Sequence, residues 1–109
     1  MSNFSNYTEN NIIQTTLRGQ SYPTPSAVYL ALFTTDPTDA NSGDELADSN
    51  YVRQDAAQGG SIDSGWTAPS DGVSKNAKKV EFPAISDGTV TVSHFALFDS
   101  QTGGNLLYH

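Results

Sequence analysis

The sequence predicts a mainly β protein, a small antiparallel sandwich or barrel with a short N-terminal helix. Three observations carry this prediction. Residues 27–33 and the second half of 89–98 are apolar on both faces, as in strands covered on both sides. Stretches dense in Gly, Pro, Asp, Asn and Ser separate these runs from the shorter strand candidates. Helix start and stop signals frame only residues 6–18.

The helix is expected to start at Asn6, with Glu9 three residues on in a near capping box, and to stop at Gly19 after Arg18. Tyr7, Ile13 and Leu17 form a sparse apolar stripe. So thin a stripe does not hold a helix in water, so its stability must come from packing. Pro23 and Pro25 then set extended or turn backbone at Tyr22 and Thr24. In residues 27–33, Val28, Leu30 and Leu32 share one face and Ala27, Tyr29, Ala31 and Phe33 the other, which predicts the central strand.

Residues 34–50 read as a long exposed loop with a short turn near Glu45 and Leu46. A second strand starts at Tyr51, and an irregular stretch carries Trp66, the only tryptophan. Residues 78–85 alternate Val80 and Phe82 with Lys79 and Glu81 before Pro83, which suits an edge strand or a strand end. Asp87 and Gly88 turn the chain into 89–98, where Val90 and Val92 alternate with threonine and serine until both faces become apolar beyond His94. Gln101 to Gly104 form the next turn, and Leu106, Leu107 and Tyr108 make a last apolar run. That run needs a partner, either the neighbouring strands or an adjacent subunit, because an unpaired apolar edge aggregates. The organisation is an N-terminal helix or arm over residues 1–19 and a β domain over 20–109, together one domain that extends past 109 if the chain does.

Composition narrows the function. Leu, Ile, Val and Phe number 22 of 109 residues, at the edge of what a chain needs to fold alone, so support from repeated subunits is expected. A net charge of −7 with five Lys or Arg opposes phosphate and excludes a nucleic-acid partner. The absence of cysteine removes disulfides, thiolate catalysis and thiolate metal sites. No run approaches the length of a membrane span, and no signal-peptide pattern opens the chain.

Catalytic and cofactor patterns are not found. Asp36, Asp39, Asn41, Asp44, Glu45 and Asp48 crowd one loop, but the glycine after Asp39 comes one place early for an EF-hand and no closing glutamate follows, so the loop is read as solvated and metal-free. His94 has no second histidine at a metal spacing. The double glycines at 59–60 and 103–104 lack the following helix and lysine of a phosphate loop. Asp87 and Asp99 are separated by a whole strand and read as turn residues. The chain is therefore expected to be non-enzymatic, with no cofactor and no metal. Trp66 has two readings, a lid over the core or a surface contact. The candidate interaction residues are Tyr7, Ile13, Leu17, Trp66, Leu106, Leu107 and Tyr108.

In order along the chain, Ala31-Leu32-Phe33, Asp36-Pro37-Thr38-Asp39, Gly43, Glu45, Tyr51 with Arg53, Phe82-Pro83, His94-Phe95, Phe98-Asp99 and Gly103-Gly104-Asn105-Leu106 resemble a family of small tailed-phage virion proteins, usually labelled tail-fibre or minor structural proteins. Residues 56–75 follow the family pattern only loosely, so what is particular to this protein is expected there. The resemblance implies a structural role in the virion. Its partners would be other virion proteins, the major capsid protein or tail proteins, and further copies of itself, with a trimer among the options. Shortness and the lack of a fibrous repeat outweigh the family label, so a small capsid decoration or cement protein is expected, with a tail or fibre component that contacts the host as the alternative. Synthesis in the host cytoplasm precedes assembly into the virion in either case.

Overall fold

The computed structural model describes residues 3–86 and 88–109, and Asp87, read above as a turn residue, lies outside them. Its elements are α1 (Asn6–Arg18), β1 (Tyr29–Phe33), β2 (Gln54–Asp55), a 3₁₀ turn (Ile62–Gly65), β3 (His94–Phe98) and β4 (Leu106–Tyr108). The class is the expected one, mainly β with a short N-terminal helix. The strands form one antiparallel sheet in the order β2, β1, β3, β4.

The helix cap lies one residue earlier than expected. Ser5, not Asn6, is the N-cap, and its hydroxyl accepts from the Thr8 N–H at 3.1 Å. The N–H of Asn6 instead donates to the Asp39 carbonyl. Gly19 ends the helix as expected, in the left-handed region at φ 68°, where a side chain is disfavoured.

β1 and β3 lie side by side in the centre of the sheet, with Leu30 opposite Leu97 and Leu32 opposite Phe95. The core, however, forms on the other face. There Ala31 stands opposite Ala96, and Phe33 and Phe98 come from opposite ends of the ladder, yet their rings stack 6.1 Å apart. They meet over the alanine pair, whose small side chains leave the room. With Leu106 these four residues make the buried cluster, whereas Phe95 on the opposite face is 49% exposed.

Three expected strand regions change. Residues 89–93 make no ladder because β1 ends at Phe33; Ser93 closes the pairing with its N–H to Phe33 O and its hydroxyl to Thr34 O. β2 shrinks to two residues because the Asp55 carboxylate accepts from the N–H groups of Ala57 and Gly59 and turns the chain away. Residues 78–85 form no strand. The Gln58 and Asn50 amides donate to the carbonyls of Lys79 and Ala84, and Phe82 stacks on Tyr51, so side chains fix this segment where a ladder was expected.

The 34–50 stretch is less open than expected. It folds back on the free edge of β1, with Leu46 N–H on Leu32 O, Thr34 N–H on Asp44 O, and Leu46 itself buried. A side chain at Gly43 would run into the Asp36 carbonyl, so this return depends on glycine.

Candidate functional site

The two ends of the chain close on each other. Ser5 N–H and the Thr8 hydroxyl both donate to the Leu107 carbonyl, at 3.0 and 2.9 Å, and the Ser5 hydroxyl donates to the Leu106 carbonyl. Asn3 and His109 exchange backbone hydrogen bonds, and the Phe4 ring packs 5.3 Å from that of Tyr108. The His109 ring is fixed against Asp39 at 2.6 Å, with Asp36 on its other side at 3.8 Å. Residues 3–5 thus run along the outer edge of β4 and pair it. Of the two partners expected for the terminal run, the structure shows its own chain, β3 on one side and the N-terminal segment on the other.

The candidate interaction residues fall in three places. Leu106 and Leu107 are buried in their own chain and Tyr108 is half-buried beside Phe4. Tyr7 is half-buried on α1, while Ile13 and Leu17 point outward, 51% and 80% exposed. Trp66 stands apart, half-buried at the base of a hairpin that pairs Trp66 with Asn76 and Ser70 with Val73. Asp71 and Gly72 turn this hairpin with positive φ at both positions, and every residue from 67 to 77 is exposed. α1 meets β4, so the structure joins the helix to the terminal run and leaves Trp66 elsewhere.

A second, polar assembly draws together residues that carry no motif one by one. The Arg53 guanidinium, buried, lies 3.7 Å over the Phe98 ring. Its Nε and Nη2 each donate to Glu45 at 2.9 Å, and its Nη1 donates to the carbonyls of Ser100 and Gly103 at 2.9 and 2.8 Å. Tyr51 donates its hydroxyl to Glu45 and accepts the Leu32 N–H at 3.1 Å. Arg53 therefore ties the 34–50 return to β3 and the last turn, and Tyr51 ties the same glutamate to β1. Burial pushes the Glu45 carboxyl up, but the hydrogen bonds from Arg53 and Tyr51 and the Arg53 charge outweigh it and hold the group below its ordinary value. Burial, then the bond to Glu45, pushes the Tyr51 hydroxyl well above its own. The only sequence signal for this assembly is the family resemblance, which runs through Glu45, Tyr51, Arg53 and Phe98.

The acidic loop is engaged more than a solvated turn would be. Asp36 accepts the Thr38 N–H, Asp39 holds His109, and Asp48 accepts from Asn50 and Ser86. Among the described residues, no group of three or more His, Cys, Asp or Glu is placed to hold a metal ion. His94 is exposed, its Nδ1 2.8 Å from the Ser93 hydroxyl, and Asp99 caps its own turn by accepting from Asn105. An open cleft of about 420 Å³ lies between β2 and the extended 79–81 stretch, lined by Gln54, Asp55, Gln58, Lys79, Val80 and Glu81. Among the described residues no helix is long and apolar enough to cross a membrane.

No curated protein matches the chain. The family model described as Podophage GP4 fiber I protein gp80 matches residues 3–109, a span that holds the joined ends, the Arg53 assembly and the hairpin alike. The chain belongs to this tailed-phage fibre family and is a structural protein of the virion.

Proposed function

We propose that the chain is a non-enzymatic component of the phage tail fibre, and not a decoration of the capsid. The observation that carries this reading is the match over residues 3–109 to a family described as a fibre protein. The chemistry of the interior supports it. The titrating groups with the clearest reason to be perturbed, Glu45 and Tyr51, are spent on holding loops to the sheet, which is architecture and leaves no free acid and base pair there. The exposed tip of the hairpin around Asp71 and Gly72, in the part of the chain that follows the family pattern least, offers the surface for contact with the host.

Gold labelling of a tagged copy in intact particles, with the number of copies per particle measured by quantitative mass spectrometry, tests the reading. Label at the tail in few copies is expected. Label spread over the head in many copies overturns it in favour of capsid decoration.

A further inference from the structure

The segment read as an edge strand in the sequence has the shape of one and lacks only a partner. Along 78–83 burial alternates, with Lys78, Val80 and Phe82 half-buried and Lys79, Glu81 and Pro83 exposed. Lys79 and Glu81 lie on one face, their side chains paired at 2.6 Å, as residues two apart do on an extended strand. Yet residues 79–82 make no backbone-to-backbone hydrogen bond among the described residues, and the cleft beside β2 separates them from the sheet.

The edge left open can be identified. The Lys79 carbonyl accepts from Gln58, on the cleft side. In an extended strand the backbone groups of alternate residues point the same way. Those of Lys79, Glu81 and Pro83 therefore face the cleft, and those of Val80 and Phe82 face outward. Pro83, which has no N–H to donate, costs the outward edge nothing.

We propose that this outward edge pairs, antiparallel, with the same edge of a second copy, about a two-fold axis at Val80. Charge selects the register. An axis at Val80 sets Lys79 opposite Glu81 of the partner, and Glu81 opposite its Lys79, in a pair where side chains approach closely. An axis at Lys79 or at Glu81 sets like charges against each other. The charged residues that guard an edge against foreign strands thus admit this strand in one register. The chain also has surface to give up. It exposes 6829 Å², against about 5,800 Å² for a compact monomer of 11.6 kDa. The surplus of roughly 1,000 Å² is comparable to the roughly 800 Å² that one side of a standard interface hides. The contact holds whichever part of the virion carries the chain.

Sedimentation of the whole chain over a concentration series tests it, with Lys79→Glu, Glu81→Lys and their equimolar mixture. Lys79 and Glu81 side chains are 82% and 69% exposed, so both variants keep the fold. A reversible dimer is expected for the unsubstituted chain. Each variant alone should associate at least about tenfold more weakly, since two facing pairs turn repulsive, and the mixture should recover the dimer because every pair is again opposite in sign. A chain that stays monomeric throughout overturns the proposal. So does a dimer that neither variant weakens, or one that the mixture fails to restore.

Discussion

Replacing Arg53 by methionine is the sharpest test of what holds this fold together. The guanidinium makes four hydrogen bonds, two to Glu45 and two to the carbonyls of Ser100 and Gly103, and covers the Phe98 ring. Methionine keeps much of the stem and loses all of the polar contacts. Removing one partner of a buried pair costs about 3–5 kcal/mol, because the other charge stays behind uncompensated. The Glu45 side chain is 27% exposed and can turn partly to water, which sets the expectation near the lower end, about 3 kcal/mol. Against a net stability of about 5–15 kcal/mol for a domain, that loss is a large share. Urea unfolding followed by Trp66 fluorescence reads it as a lower midpoint at unchanged slope. In a double-mutant cycle, Arg53→Met with Glu45→Met should cost clearly less than the two single losses together, since neither charge is then left alone. A loss below about 1 kcal/mol for Arg53→Met would place the pair with ordinary surface ion pairs and refute the reasoning.

The same assembly sets two pH limits. Because the folded state holds the Glu45 carboxyl below its ordinary value, its contribution is present above that value and disappears as pH falls through the lowered one; Glu45→Gln should flatten the acid limb of a midpoint-against-pH curve. Tyr51 is raised from 10.0, so its contribution is present below pH 10.0 and is lost as pH rises beyond it, where the unfolded chain ionises first; Tyr51→Phe should flatten the alkaline limb. At the joined ends, Ser5→Ala removes the helix cap and the bond to Leu106 and should cost about 1–2 kcal/mol, seen as a lower urea midpoint. Thr8→Val removes the bond to Leu107 and should cost about 1 kcal/mol, with faster amide exchange in β4 as the local sign of an opened edge.

What is legible in the sequence follows a physical line. Runs apolar on both faces announce central strands wherever they sit, and β1 and β3 are those strands. Gly19 ends α1 by local backbone geometry, which needs no tertiary knowledge. Which face of the β1 and β3 pair becomes the core is not legible, because it depends on two alanines meeting across strands more than sixty positions apart. The closure of the ends rests on contacts such as Ser5 to Leu106, 101 residues apart, between a hydroxyl and a carbonyl that carry no periodic signal. The alternation expected in 78–85 is present in the structure along 78–83 and fails only as a ladder, since alternation specifies a face and says nothing about whether a strand lies alongside.

The joined ends bear on the division of the chain into an arm and a β domain. An arm that serves only to dock on a neighbour leaves its own domain complete when removed. Here residues 3–5 supply the outer partner of β4, and Ser5 and Thr8 occupy the carbonyls of Leu106 and Leu107. Without them β4 would present those carbonyls and the Tyr108 ring on a bare edge, the condition that favours strand addition between molecules. The N-terminal half of α1 is thereby part of the sheet's closure, while Ile13 and Leu17, on the outward half, take no part in it. Substituting those two exposed side chains separates a docking role from a folding role, whereas deleting the arm removes both at once.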